Sequence, residues 1–277
     1  MEPTWHSDAE PDDYKIGPSG WVRVVLRGLV LGIVVFGGLI LLLMVRLIER
    51  PFFGLGRPVT PHITQIVCRV AFLILGMKHK VHGAPMTERG AIVANHTSWL
   101  DIFALNAVKR FYFVSKSEVA RWPGIGWLAR ATGTVFIDRD PRKAKAQTEL
   151  FEQRLLAGHK LLFFPEGTST DGLTVLPFKT TLFEAFMSPG LKPYMFIQPV
   201  TLIYHSPTGQ PDRFYGWWGD MDFGPHFLKT LATSPQGMVE LVYHDPVRVA
   251  DYDNRKALAA DLCQSVRSAH PVHGAGS

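Results

Sequence analysis

A chain of 277 residues has room for one large domain or two small ones and for a sizeable core, which excludes a peptide, a repeat array or a multidomain machine. With 47% hydrophobic and 19% charged residues it is too apolar for a disordered chain and too polar for a multi-span transporter, which calls for something between them, such as a soluble domain with a membrane tether. The net charge of +5 favours an anionic partner surface, while two cysteines, Cys68 and Cys263, are too few for a disulfide scaffold, match no metal-ligand spacing and make a reducing, cytoplasmic setting the default.

The first element follows an acidic start (Glu2, Asp8, Glu10, Asp12, Asp13). Residues 28–45, GLVLGIVVFGGLILLLMV, carry no charge. As a helix they span about 27 Å, close to the hydrocarbon thickness of a bilayer. Arg23 and Arg27 on one side and Arg46 and Arg50 on the other are placed to reach headgroups, with Trp21 as an interfacial anchor. The acidic start and the absence of a small-x-small cleavage site argue against a signal peptide, so the segment is read as a retained transmembrane helix. A second apolar stretch, Ile63 to Met77, contains Arg69 and is short for a span, which suits an interfacial, re-entrant or ordinary core helix. Pro51, Gly54, Gly56, Pro58 and Pro61 separate the two. More Lys and Arg follow the first segment than precede it, which favours a cytoplasmic body.

From residue 80 onward short apolar runs alternate with turns. Strands are predicted at 91–95, 111–115, 133–137, 160–165, 195–204 and 238–244, and helices at 99–109, 141–156, 178–186 and 251–269. Alternating strands and helices predict an α/β domain with a mixed β-sheet flanked by helices. The expected organisation is a polar tail (1–20), a membrane-anchoring helical segment (21–80), the α/β domain (81–250) and a C-terminal helix and tail (251–277).

Two clusters sit just after predicted strands, where α/β proteins place their ligand sites. In Asn95-His96-Thr97-Ser98-Trp99-Leu100-Asp101, the aspartate lies about one helical turn beyond the histidine and can hold Nδ1–H, leaving Nε2 free as a general base. No G-x-S-x-G is present and Ser98 reads as a helix cap, so the reacting hydroxyl would belong to a substrate. In Phe164-Pro165-Glu166-Gly167-Thr168-Ser169-Thr170, Glu166 could orient a hydroxyl while nearby N–H groups bind an anion or oxyanion; a capped turn has the same composition.

Together, NHTSWLD and FPEGTST resemble the H-x4-D and F-P-E-G-T blocks of the glycerolipid (lysophospholipid) acyltransferase family. Residues 133–139 (GTVFIDR) resemble its strand ending in Arg, and Ile197 to Val200 (IQPV) its proline-centred strand. The blocks occur in order over roughly residues 80–205. Residues 172–183 and 218–227 are similar to bacterial lyso-ornithine lipid acyltransferases. The resemblance implies an O-acyltransferase of the inner membrane. His96 would be its base and Asp101 its orienting acid. Glu166, Gly167 and Thr168 would line the acceptor site, Arg139 and Lys116 would bind anionic groups, and Lys179 could hold a phosphate. The donor would be an acyl carrier protein or coenzyme A thioester, with no cofactor or metal. The family's cation after F-P-E-G-T is Ser169 here, which favours an acceptor without phosphate, lyso-ornithine lipid, over lysophosphatidic acid. A non-catalytic lipid-binding protein is the reading from another class, and nucleic-acid binding is disfavoured because the basic residues form no stripe.

Three further patterns are set aside. Gly124-Ile125-Gly126-Trp127-Leu128-Ala129 has the form of a dinucleotide fingerprint but follows no strand. His79/His82 and His270/His273 have ligand spacing without further ligands nearby. The aromatic run Phe214 to Trp218 suits lipid contact or core packing.

Overall fold

The computed structural model describes residues 5–8, 14–138 and 140–274. Helices α1 (Pro18–Phe53) and α2 (Thr60–Leu75) precede strands β1 (Lys78–His82) and β2 (Gly90–Ala94). Then come α3 (Leu100–Val108), β3 (Tyr112–Lys116), α4 (Ile125–Thr132), β4 (Val135–Ile137), α5 (Ala144–Leu156), β5 (Leu161–Phe163) and β6 (Phe196–His205). The chain closes with α6 (Phe223–Ala232), β7 (Met238–Tyr243), β8 (Val247–Arg248) and α7 (Arg255–Ser268).

The sheet runs β1-β7-β6-β2-β5-β3-β4. Strands β6, β2, β5, β3 and β4 are parallel, β7 is antiparallel to β6, and β8 pairs with the start of β6. The sheet is therefore mixed, as its sequence pattern predicts. All five residues of β2 are buried, as expected of a central strand covered on both faces. One face carries Ile92, Ala94, Val200 and Leu202 in a core with residues of α2, α3 and α6. The other carries Ala91, Val93, Leu161 and Phe163 with residues of α5 and α7.

Helix α1 is twice as long as its uncharged run and is long and apolar enough to cross a membrane. Both ends are tied to the domain. Near its start, Arg23 Nε donates to Ala232 O at 2.6 Å, and Arg27 donates to Leu231 O and Thr233 O at 2.9 and 2.6 Å. These carbonyls close α6, where a helix leaves acceptors unpaired and the dipole favours cations. Near its far end, Glu49 accepts from the backbone N–H of Val59 and Thr60 and from the Thr60 hydroxyl. That carboxylate caps α2, which packs on α3: Arg69 donates to Ala107 O and Gln65 to Val108 O.

Several segments fold otherwise than their composition predicts. Residues 178–186 form two short 3-10 turns instead of one helix. Phe183 closes the first turn and Phe186 lies in the second, and both are fully buried, so each turn sends one aromatic ring into the core. Helix α6 is concealed in the sequence by Gly224-Pro225, yet this proline falls in the first turn, where a missing N–H costs nothing. In β1, a largely exposed edge strand, the composition KHKVH hides the pattern. The Gly124–Ala129 run opens α4, and a Cβ on Gly126 would stand 2.3 Å from Ala120 O, so that glycine serves a close turn within the chain.

Candidate active site

Parallel β2, β5, β3 and β4 end along one edge of the sheet, so the segments that follow them converge there. Asn95 and His96 follow β2, Phe164 to Thr170 follow β5, and Lys116 closes β3. Arg139, just after β4, lies outside the described residues.

His96 Nδ1 lies 2.7 Å from Asp101 Oδ2. The same oxygen accepts the backbone N–H groups of Thr97 at 2.8 Å and Ser98 at 3.0 Å, while Oδ1 accepts the Tyr204 hydroxyl at 2.7 Å. Asp101 is 0% exposed and sits in the first turn of α3, where a carboxylate is favoured by the helix dipole. A carboxylate accepts from Nδ1 only when that nitrogen carries the proton, which leaves Nε2 as the basic position of a neutral ring. The His96 side chain is 20% exposed, and its ring stacks on Phe164 at 4.0 Å with planes 9° apart. The imidazole is thus backed by an aromatic face on one side and open on another.

The segment after β5 holds the backbone of His96 from both directions. Its N–H donates to Glu166 Oε1 at 2.7 Å, and its carbonyl accepts the N–H of Thr170 at 2.9 Å. Glu166 Oε2 accepts the N–H of Leu176 at 2.9 Å. Glu166 is 1% exposed and spends both oxygens on backbone groups of its own chain. Through these two bonds the carboxyl group ties the loop after β5 to the backbone of His96. Burial pushes its carboxyl up to about 8 and Asp101 pushes the same way, while the two N–H donors and Arg267 pull it down.

Gly167 has φ +73°, and a Cβ there would meet Lys179 Nζ at 3.1 Å, so a side chain would be strained and would press on that lysine. Lys179 is anchored through its N–H to Pro165 O and lays its ammonium along the F-P-E-G-T loop. Thr168 is half-buried, and its hydroxyl donates to Ser169 O. Lys116 is half-buried at the sheet edge opposite Ile137. The geometry therefore gathers His96, Asp101, Glu166, Gly167, Thr168 and Lys179 around two adjoining loops, with Lys116 two strands away on the same edge.

Several parts of the site have no signature in the sequence. Tyr204 reaches Asp101 from β6, more than a hundred residues away. The aromatic run is laced to both loops: Trp217 N–H donates to Thr97 O at 2.9 Å, and the Ser169 hydroxyl donates to Trp217 O. Phe214, Tyr215 and Trp218 are buried, so this run packs inside the molecule. Of the spaced histidines, His79 stacks on Phe72 while His82 reaches Glu240, so the two take separate partners.

A family model described as acyltransferase matches residues 78–203, from β1 through most of β6. The chain is 58% identical over 266 residues to a lyso-ornithine lipid O-acyltransferase of Rhodobacter capsulatus, covering 96% of each. It is 35% identical over 264 residues to a protein of that name from Rhizobium meliloti, covering 89% of this chain and 85% of the relative. A 1-acyl-sn-glycerol-3-phosphate acyltransferase of Neisseria gonorrhoeae is 39% identical over 188 residues, 67% of this chain and 71% of that one. Among solved structures, the 1-acyl-sn-glycerophosphate (LPA) acyltransferase PlsC of Thermotoga maritima superposes with a TM-score of 0.61 at 21% identity, covering 89% of this chain and 92% of that one, a likeness of fold.

Proposed function

This chain belongs to the acyltransferase family, and from that premise we propose that it moves a fatty acyl group from a thioester to the hydroxyl of lyso-ornithine lipid. The observation that carries the chemistry is the 2.7 Å contact between His96 Nδ1 and Asp101 Oδ2. With Nδ1–H held, Nε2 takes the proton of the acceptor hydroxyl as the oxygen attacks the thioester carbonyl. The tetrahedral intermediate collapses, the C–S bond breaks, and the imidazolium returns the proton to the departing thiolate. The products are an ester and a free thiol. The nucleophile is the substrate's own oxygen, so no acyl-enzyme forms, and the scheme calls on neither metal nor cofactor. The donor is an acyl carrier protein or coenzyme A thioester.

The choice of acceptor is supported by the Rhodobacter and Rhizobium relatives and by Ser169. Its hydroxyl is committed to Trp217 O and brings no positive charge to the position after F-P-E-G-T. An acceptor bearing a phosphate monoester would lack a clasp there. The Neisseria relative favours a second reading, lysophosphatidic acid as acceptor, which keeps the same chemistry. The long apolar α1 supports a place at the membrane, and the excess of Lys and Arg after it favours the cytoplasmic face of the inner membrane.

The test is acyl transfer by purified enzyme to each lysolipid separately, with one labelled donor. His96→Ala is expected to lower the rate about 10²–10⁴-fold, and Asp101→Asn, which removes the negative charge that stabilises the imidazolium and leaves one oxygen where two now accept, about 10²-fold or more. Transfer by His96→Ala at the wild-type rate would overturn the mechanism. A preference for lysophosphatidic acid would overturn the acceptor alone.

A further inference from the structure

Asn95 is buried immediately beyond the last residue of β2, and its side chain prolongs the pairing of β2 with β6. Its Nδ2 donates to Leu202 O at 2.9 Å, and its Oδ1 accepts Leu202 N–H at 2.7 Å, so both backbone groups of Leu202 are held. Side chains two apart on a strand share a face. Residue 204 is therefore delivered to the same face as Leu202, and that face covers α3. There the Tyr204 hydroxyl meets Asp101 Oδ1 at 2.7 Å, with its ring beside Tyr215 at 5.5 Å. Oδ2 already receives three donors, from His96, Thr97 and Ser98. The tyrosine is the partner of the other oxygen, and with it the carboxylate is held at both ends.

We propose that Tyr204 is a positioning residue of the acyl-transfer site, fixing the rotation of Asp101 so that Oδ2 stays on His96 Nδ1 while Nε2 faces the acceptor. It touches no reacting atom and acts through Asp101. A hydroxyl donating to an anion also draws charge from it, which weakens the field that favours the imidazolium. The Tyr204 hydroxyl is itself held far above the usual phenol range, by burial first and by Asp101 next, so it remains a donor throughout the working range. The other titratable and charged groups around the pair are Glu166 and Lys179 on the neighbouring loop, Tyr215 beside Tyr204, and Arg267 on α7 acting on Glu166.

The inference rests on the acyltransferase reading of His96, and the experiment separates the two. Wild type, His96→Ala, Tyr204→Phe and Tyr215→Phe are assayed in detergent micelles for kcat/KM against pH, with thermal melting of each. Tyr215 is the control, because it is a buried neighbour of Tyr204 whose hydroxyl bonds to Gln236 and Gly237 instead of Asp101. For Tyr204→Phe we expect kcat/KM about tenfold lower with KM for the lysolipid unchanged and the acid limb of the profile moved to higher pH. Tyr215→Phe is expected to lower the melting temperature and leave the acid limb in place. An unmoved limb and rate in Tyr204→Phe, or an equal displacement in both phenylalanine variants, would sink the role of Tyr204 while His96→Ala remains inactive. Activity retained by His96→Ala would instead remove the reading beneath it. Modification of His96 by diethylpyrocarbonate, followed against pH in wild type and Tyr204→Phe, reads the same displacement without turnover.

Discussion

At the residue scale the site is a matter of who holds the histidine. Its ring is oriented by Asp101, and its backbone is clamped by Glu166 and Thr170, so the two blocks that sequence places seventy residues apart are one rigid object. Glu166→Gln tests that unity. A glutamine can give an oxygen to only one of the two N–H groups now served and must turn its own donor toward the other, from His96 or Leu176. Loss of stability of roughly 1–3 kcal/mol is expected, together with reduced turnover, measured by thermal melting and acyl transfer on the same sample. The histidine and aspartate were legible in sequence because their bond is local, five residues apart. Glu166 was legible as a residue, while its burial and its two backbone partners were not, since neither can be read from composition. Tyr204 carries no local mark at all. It becomes functional only through the pairing of β2 with β6.

At the element scale, the strands of the central sheet were legible because each is a short apolar run between turns, and the elements missed are those whose neighbours override their composition. Helix α6 owes its closure to arginines from α1, and the linker between α1 and α2 is secured by a histidine that precedes β5. His159 accepts Arg154 Nε–H on Nδ1 at 2.6 Å, donates from Nε2 to Leu55 O at 3.1 Å and stacks on Tyr112 at 4.2 Å. Burial first and Arg154 next push it down to about 4. An unfolded histidine titrates near 6.5. Between that value and about 4 the unfolded chain binds a proton that the folded chain refuses, so the contribution to stability is complete above about 6.5 and is lost as pH falls toward 4. His159→Gln, which can still accept from Arg154 and donate to Leu55, is expected to flatten this part of the stability curve. Melting temperatures of the two proteins between pH 4 and 8 provide the check, and parallel curves would contradict it.

At the scale of the whole molecule, the apolar helix and the α/β domain are one structure. Residues of α1 close α6 and cap α2, and α2 in turn is bound to α3, the helix that carries Asp101. Removing residues 1–58 is therefore expected to yield an aggregated, inactive protein instead of a soluble enzyme. Size-exclusion chromatography and acyl transfer would decide it, and a monodisperse active fragment would refute it. The sequence pattern separated tether from body because it registers hydropathy, and long-range hydrogen bonds leave no trace in hydropathy. Along α1 the residues turned from the domain include Leu29, Ile33, Ile40, Leu47 and Phe52, all exposed. A surface of that kind will gather a collar of amphiphile during purification. The mass carried by that collar must be subtracted before any subunit number is assigned, and the choice of amphiphile sets how freely a lysolipid can approach the imidazole.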